Sequence, residues 1–270
     1  MQKYVVLEKE VGQTPLQCAE EWRAQHPQLA DVALAYAGRL DPMASGKLLI
    51  LIGNECKIQE KYHGLDKEYK FSILFGVGSD TGDVLGLIKE TGALKIDKSK
   101  IKKITHNLIG DIELPYPKFS AKTVLGKPLH VWAVEGRLNE ITIPTKHSRI
   151  YSLKVKQIVQ KTRTEIYSEV SQKIETIPEV TDASKALGND FRRVNIRADW
   201  KRFIENGTAT DTFTIANFTC ICSSGTYMRT LAEIIGKEIG TTGLAYHIHR
   251  LRIGTYLPLT KNFGFWKQYF

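Results

Sequence analysis

Cysteine is scarce in this sequence, and its spacing matches neither arrangement that would make it structural. The cysteines form no zinc-binding motif and no disulfide framework. There are four of them, Cys18, Cys56, Cys220 and Cys222. The last two flank one residue of a candidate strand, which is typical of buried free thiols in a reducing compartment. We therefore expect a cytoplasmic protein without disulfides.

Long apolar runs are also missing. No run reaches the roughly 18 residues of a membrane span, and residues 1–10 lack the profile of a signal peptide. The sequence therefore predicts no membrane association. Its 270 residues are enough for one large core or two modest domains.

Acidic residues are in deficit. The 38 Lys and Arg outnumber the 29 Asp and Glu, which gives a formal net charge of +9. Such a balance favours a polyanionic partner through electrostatic steering and counterion release. Many basic proteins bind no nucleic acid, however, so the charge agrees with an RNA partner without selecting one.

Asp41 is the most informative residue that the sequence does contain. It follows Gly38, precedes Pro42, and stands shortly before the aliphatic run of residues 48–52. Glycine and proline beside such a run predict a turn that leads into a buried strand. The carboxylate would then lie at the edge of the core, partly desolvated and held in place. The alternative is an acidic turn residue that caps its own backbone.

Two further segments have a regular apolar pattern. In residues 67–76, aromatic and aliphatic residues alternate with polar ones from Tyr69 onward, which predicts a strand with one aromatic face. In residues 228–240, apolar residues recur at helical spacing up to Gly240, which predicts a helix. Arg229 falls in the first turn of that helix, where the macrodipole disfavours a cation. An anionic partner for Arg229 is therefore expected.

The remaining segments are less regular. Residues 79–83 contain the Asp-Thr-Gly triplet of aspartic proteases, but a single copy without a second acidic motif is better explained as a hairpin turn. Residues 115–137 are rich in proline and basic residues and predict an ordered loop that leads into a short helix. His247 and His249 share one strand face, but no third metal ligand follows at a convincing spacing.

The pattern around Asp41 resembles the pseudouridine synthases, most closely the TruB family that modifies the T-loop uridine of tRNA. That family has Gly-His-Thr-Gly-x-Leu-Asp-Pro-x-Ala-x-Gly-x-Leu, with the Asp as its essential catalytic residue. The positions that match are Gly38, Leu40, Asp41, Pro42, Ala44, Gly46 and Leu48. Tyr36 and Ala37 replace the His-Thr pair, and Arg39 before Leu40 is more like the RluA branch of the same superfamily.

The resemblance implies a role for each matching residue. The catalytic residues would be Asp41, Tyr69, which stacks on the target base, and Arg229, which pairs with Asp41. Tyr69 as a plain core aromatic and Arg229 facing solvent are the structural alternatives. The substrate-binding residues would be Tyr36, Arg39, Lys67, Lys118, Phe119, Lys122, Tyr227, Ile248 and Arg250. Among these, Phe119 stands where the family has Tyr, Ile248 where it has Leu, and Lys118 and Lys122 are candidate phosphate contacts.

The resemblance also implies an α+β fold, the pseudouridine-synthase core, with a mostly antiparallel sheet flanked by helices. Residues 1–156 and 208–258 would form the catalytic core, residues 157–207 a basic helical insertion, and residues 259–270 a C-terminal tail. Residues 185–203 carry six Lys or Arg and two Asp, interleaved with Phe191, Trp200 and Phe203. This pattern fits either an RNA-contacting insertion or an ordinary amphipathic helix. The PUA domain that many bacterial members carry at the C-terminus has no room in 270 residues.

The expected activity is the isomerisation of uridine to pseudouridine in the T-loop of tRNA. The reaction breaks the C1′–N1 bond and forms a C1′–C5 bond, and it implies base flipping, a carboxylate and no cofactor or metal. The expected partner is the T-arm of tRNA, bound by a monomer. Two alternatives remain open: a synthase that acts on another tRNA or rRNA site, and a tRNA-binding chaperone without catalysis.

Overall fold

The computed structural model describes residues 2–179, 192–261 and 263–270. Its centre is a nine-stranded sheet in the order β1-β3-β12-β4-β11-β10-β7, with β2 added beside β3 and β13 beside β12. Every pairing in this sheet is antiparallel except that of β12 with β3. The predicted α+β class with a mostly antiparallel sheet is confirmed.

The elements follow one another without long irregular connections in the described chain. The strands are β1 Tyr4–Lys9, β2 Leu34–Ala37, β3 Ala44–Ile52, β4 Asp66–Phe75, β5 Val77–Ser79, β6 Ile88–Glu90, β7 Gly110–Pro115, β8 Thr123–Val124, β9 Lys127–Pro128, β10 Thr145–Thr162, β11 Thr212–Cys222, β12 Gly243–Thr260 and β13 Phe263–Tyr269. The helices are α1 Pro15–Ala24, α2 Glu60–His63, α3 Lys98–Asn107, α4 Leu129–Val134, α5 Arg163–Glu175, α6 Arg193–Glu205 and α7 Met228–Ile239.

Residues 48–52 of strand β3 are all apolar because both faces of this part of the strand are covered. Leu48 and Ile50 pack with Cys18 of α1, whereas Leu49 and Leu51 pack on the other side in a second cluster that includes Ile253. All four β3 side chains are completely buried. The aliphatic run therefore forms a central strand, and the preceding turn with Asp41 is fixed at the end of that strand, as the sequence predicted.

Helix α7 begins and ends where the sequence indicated. Its first residue is Met228, Leu231 and Ile235 face the core, and Gly240 closes it with a φ of 94°. Such a left-handed C-terminal position favours glycine because it has no Cβ. Arg229 is therefore held in the first turn of a helix whose apolar face is anchored in the core.

The segment 157–207 differs in part from its sequence-based interpretation. Residues 157–162 continue β10, and helices appear only from Arg163 onward. Trp200 and Phe203 are buried in the core, and the Trp200 indole N–H donates to the carbonyl of Val84 at 3.0 Å. These two rings are therefore unavailable to RNA, and the apolar face of α6 packs on the core. Phe191 lies outside the described residues.

The C-terminal residues 259–270 are not a tail. Strand β12 continues to Thr260, and β13 returns beside it as a hairpin. In the part of the chain that the structure describes, no helix is long and apolar enough to cross a membrane.

Substituting Trp200 with Ala is expected to lower the free energy of unfolding by about 3–5 kcal/mol, because it removes a fully buried ring and leaves the Val84 carbonyl without its donor. Urea unfolding followed by circular dichroism measures this. The matched control is Val194→Ala in the same helix, since Val194 is 64% exposed; it should change stability by no more than about 0.5 kcal/mol. Equal effects of the two substitutions would contradict the packing of α6 on the core.

Candidate active site

One cleft of about 560 Å³ collects most of the residues that the sequence singled out. It lies where the first residues of β3 and β4 adjoin residues 248–250 of β12, and the loop after β7 and the start of α7 also line it. The predicted residues that line it are Arg39, Asp41, Lys67, Tyr69, Phe119, Lys122, Tyr227, Arg229, Ile248 and Arg250. Tyr36 lines an adjoining groove instead, and Lys118 is exposed outside the cleft.

Asp41 and Arg229 form an ion pair in this cleft. The Arg229 Nε atom lies 2.8 Å from Asp41 Oδ2, and the two side chains are 6% and 42% exposed respectively. The guanidinium is therefore buried while the carboxylate remains open to the cleft. The expected anionic partner of Arg229 is present, and an Arg229 that faces solvent is excluded.

Asp83 is a further partner of Arg229 that the sequence analysis missed. Its Oδ2 atom lies 3.8 Å from Arg229 Nε, and its side chain is 6% exposed. Burial raises the pKa of the Asp83 carboxyl, while Arg229 opposes that shift. The Thr81 hydroxyl and the Leu85 amide donate to Asp83 at 2.7 and 3.0 Å. The sequence signal for this partner was a second acidic residue in the 79–83 segment, four residues after Ser79. Interpreting the whole segment as a hairpin turn left that residue without a role.

Two backbone carbonyls complete the surroundings of Arg229. The Arg229 Nη1 group donates to the carbonyl of Thr81 at 2.9 Å and to that of Phe119 at 3.4 Å. Arg229 therefore joins the turn after β5 to the loop after β7. Both segments are fixed relative to Asp41 through one side chain.

Two other buried cations donate hydrogen bonds to backbone carbonyls of the turn that contains Asp41 and of the adjoining strand β3. Lys9 is completely buried and donates to the carbonyls of Ala44 at 2.6 Å and Pro42 at 3.5 Å. Burial lowers its pKa to about 8. Arg250, also completely buried, donates to the carbonyls of Lys47 at 2.7 Å and Gly38 at 3.0 Å. The geometry thus gives Arg250 backbone partners in the turn, whereas the resemblance implied a contact with substrate.

Tyr69 and Lys67 line the cleft from β4. Tyr69 is 8% exposed, and burial raises the pKa of its phenol to about 12, so the ring is neutral at physiological pH. Lys67 donates to the hydroxyl of Ser224 at 3.2 Å, and burial lowers the pKa of its ammonium group to about 8. The side chains on this wall are therefore a neutral aromatic ring and a poorly solvated amine.

The opposite wall is aromatic and basic. The Tyr227 and Tyr116 rings lie 5.7 Å apart, and Lys122 is placed over Tyr116 at 5.4 Å. Beyond them, the Arg192 guanidinium stacks on Phe119 at 4.4 Å and contacts Asp80 at 2.5 Å. Arg192 belongs to the 157–207 segment, which therefore reaches the loops that surround Arg229.

The site contains no arrangement suited to a metal. Within the described ranges 2–179, 192–261 and 263–270, no three His, Cys, Asp or Glu side chains are placed to hold an ion. His249 instead contacts the Ser45 hydroxyl through Nδ1 at 2.9 Å. The chemistry available in the cleft is that of an accessible carboxylate, a buried guanidinium and aromatic rings.

Comparison with known proteins agrees with this geometry. A family model described as "TruB family pseudouridylate synthase (N terminal domain)" matches residues 29–176, more than half of the chain. The tRNA pseudouridine synthase B of Caldicellulosiruptor saccharolyticus is 27% identical over 95% of this chain and 69% of its own length. That of Bacillus subtilis is 27% identical over 93% of this chain and 65% of its own length. The chain thus spans about two thirds of the length of these relatives.

A solved structure shares the fold. The crystal structure of a Cbf5-Nop10-Gar1 complex contains a chain that superposes with a TM-score of 0.52 at 15% identity. The match covers 93% of this chain and 49% of the other. At that identity the likeness concerns the arrangement of strands and helices alone.

Replacing Arg229 with Met is expected to reduce the free energy of unfolding by about 3–5 kcal/mol, since it leaves Asp83 as an unpaired buried charge. The deficit should shrink as the pH falls, because a carboxyl whose folded-state pKa is raised destabilises the fold only above its unfolded pKa. Urea unfolding at several pH values measures both effects. Adding Asp83→Asn should restore much of the loss. Adding Asp41→Asn, at the more exposed partner, should restore little, and equal rescue by both would contradict the assignment.

Proposed function

The chain belongs to the TruB family of pseudouridine synthases, and on that basis we propose that it isomerises uridine to pseudouridine in the T-loop of tRNA. The observation that carries the proposal is the Asp41–Arg229 ion pair at 2.8 Å, open to a cleft that also holds Tyr69 and Tyr227. The names of the bacterial relatives support tRNA as the substrate.

The reaction is an isomerisation, so few bonds change and no second reactant is consumed. The C1′–N1 bond of uridine breaks, a C1′–C5 bond forms, and the proton on C5 is lost while N1 gains one. Asp41 supplies the carboxylate that acts on the nucleoside. Arg229 contacts its Oδ2, which leaves Oδ1 for the substrate. Because the ion pair is already formed in the free protein, the carboxylate requires no reorientation during the reaction.

The uridine must leave its stack to reach Asp41, which costs a few kcal/mol. Stacking on an aromatic ring typically returns about 1–3 kcal/mol per base, and Tyr69 is an aromatic ring in the wall of the same cleft as Asp41. A volume of about 560 Å³ is within the usual range for a small-molecule site. Arg39 and Lys122 line the cleft and Lys118 is exposed outside it, and their positive charges support a role in binding phosphates of the surrounding RNA.

For the 157–207 insertion we propose a positioning role instead of direct contact with RNA. Arg192 stacks on Phe119 and pairs with Asp80, and the carbonyls of Phe119 and Thr81 are the ones that receive Arg229. The insertion would thereby hold the two loops that orient Arg229. This role does not require the aromatic residues of α6, which are in the core.

Asp41→Asn is the first test of the function. The substrate is an unmodified tRNA transcript carrying tritium at uridine C5, and the measurement is the tritium released to water. The wild type should release it and Asp41→Asn should not, because the amide cannot act as a nucleophile or base. A transcript with the T-loop uridine replaced by cytidine serves as the matched substrate control. Release that persists from this transcript would favour another site, and no release despite tight tRNA binding would favour the chaperone.

Arg192→Gln tests the insertion. We expect kcat for tritium release to fall about 10-fold or more with little change in KM, because the variant disturbs the orientation of Arg229 and leaves the RNA-binding surface intact. Lys201→Gln is the control, since it removes one charge from α6 at a side chain that pairs with Glu205 and is 69% exposed. A change in KM alone would instead indicate that Arg192 contacts the RNA.

A further inference from the structure

The hairpin of β12 and β13 has one face that the core does not use. Phe263, Phe265 and Tyr269 are 62%, 48% and 60% exposed, and Leu257 and Leu259 on β12 are 37% and 62% exposed. Two exposed phenylalanine rings two positions apart on one strand are unusual in a surface hairpin that serves only to end a sheet. Their exposure therefore calls for a partner.

The opposite face of the hairpin is the one that packs. Trp266 meets Tyr256 with ring centroids 5.4 Å apart, and Tyr256 meets Tyr151 of β10 at 5.3 Å. Since side chains alternate along a strand, Phe263 and Phe265 share the other face at an interval of about 7 Å, with Leu257 opposite Phe265. A register shift after Trp266 places Tyr269 on the Trp266 side, where the two ring centroids lie 6.5 Å apart. The two phenylalanine rings are thus held in place by the packing beneath them.

The charge on this part of the chain has one sign. No Asp or Glu occurs between residues 239 and 270. Lys267 stands two residues after Phe265, and Lys261 lies at the tip of the hairpin. Cations interleaved with exposed aromatic rings are the composition of a single-stranded nucleic-acid platform.

The hairpin is continuous with the cleft. Strand β12 contributes Ile248 to the cleft before it enters the hairpin. The root of the hairpin is fixed by Asp66, which accepts from the Tyr256 amide at 2.9 Å and from the Tyr151 hydroxyl at 3.0 Å. The next residue, Lys67, lines the cleft. The strand that lines the cleft therefore continues into the hairpin, and Leu257, opposite Phe265, lies nine residues beyond Ile248, about 30 Å along the extended strand.

We propose that the outward face of the β12–β13 hairpin binds unpaired nucleotides of the RNA whose uridine enters the cleft. The bases stack on Phe263 and Phe265, as bases do on the exposed aromatic residues of other RNA-binding sheets, and Lys261 and Lys267 neutralise phosphates. The identification of the RNA rests on the proposed function. The interleaved cations and the absence of acidic residues from this stretch of sequence favour RNA over a protein partner.

The test uses the 270-residue chain and a short fluorescein-labelled oligouridylate, with affinity measured by fluorescence anisotropy. Phe263→Ser and Phe265→Ser should each weaken binding by about 5-fold or more, the loss expected for one stacked base. Phe265→Tyr should retain the affinity because it keeps the ring. Leu16→Ser is the control, an exposed apolar residue of α1 at 56% exposure, and it should bind like the wild type.

Salt dependence gives a second, independent readout. Lys267→Gln should reduce the slope of log affinity against log salt by about 0.7, as expected for one lost phosphate contact on a single strand. An unchanged slope together with unchanged affinity in both Phe→Ser variants would overturn the proposal. Urea midpoints equal to that of the wild type would establish that the Phe→Ser variants are folded.

The outcome separates this proposal from the proposed function, because oligouridylate binding requires no catalysis. Normal tritium release with unaffected oligouridylate binding in the Phe→Ser variants would overturn the proposed RNA binding by the hairpin and leave the proposed function intact. A loss of oligouridylate affinity in Phe→Ser variants of a chain that releases no tritium would support RNA binding by the hairpin and overturn the proposed function.

Light scattering without RNA tests whether a second copy of this chain binds the hairpin face instead. A dimer that dissociates on Phe263→Ser while RNA affinity is unchanged would make this face a self-association surface and overturn the proposal.

Discussion

The need to neutralise a buried guanidinium organises the candidate site. Arg229 is 5% exposed and stands in the first turn of a helix, where the macrodipole opposes its charge. A buried cation is tolerated only with anionic and carbonyl partners around it. Asp41, Asp83 and the carbonyls of Thr81 and Phe119 provide them. Three segments far apart in sequence thus converge on one side chain, and the carboxylate that remains open to the cleft is Asp41.

A second constraint acts on the Asp41 turn itself. Lys9 and Arg250 are both completely buried, and both use their donors on backbone carbonyls of the residues around Asp41. Lys9 and Arg250 therefore hold the backbone of the turn, and Arg229 holds the Asp41 carboxylate. A carboxylate held in this way is preorganised before any substrate arrives, which is the condition for electrostatic stabilisation of a transition state at little reorganisation cost.

The periphery of the molecule uses similar residues in different ways. In α6, Trp200 and Phe203 complete the core, and Arg192, just before that helix, contacts Phe119 beside the site. In the β12–β13 hairpin, Tyr256 and Trp266 pack inward while Phe263 and Phe265 remain exposed. A stretch of basic and aromatic residues can therefore place its rings either in the core, as in α6, or on the surface, as in the hairpin. Only the burial of the rings distinguishes the two cases.

The sequence by itself identified those site residues that lie in segments with a distinctive local pattern. The aliphatic run predicted β3 and the turn with Asp41, the alternation predicted β4 with Tyr69, and the helical period predicted α7 with Arg229 in its first turn. The resemblance to a family then connected these residues, and ten of the twelve residues assigned to the site line one cleft. These signals are local, because strand and helix periods are set by neighbouring residues.

The tertiary structure alone decided which residues act through contacts distant in sequence. Asp83 resembled a turn residue, Lys9 a strand end and Arg192 part of a basic stretch, and each acquires its role from partners that the fold brings near. An amphipathic pattern also cannot show whether its apolar face meets a core or a ligand, so Trp200 and Phe203 could not be assigned until their burial was known. Burial and long-range pairing depend on how elements pack, and no local period of the sequence encodes that.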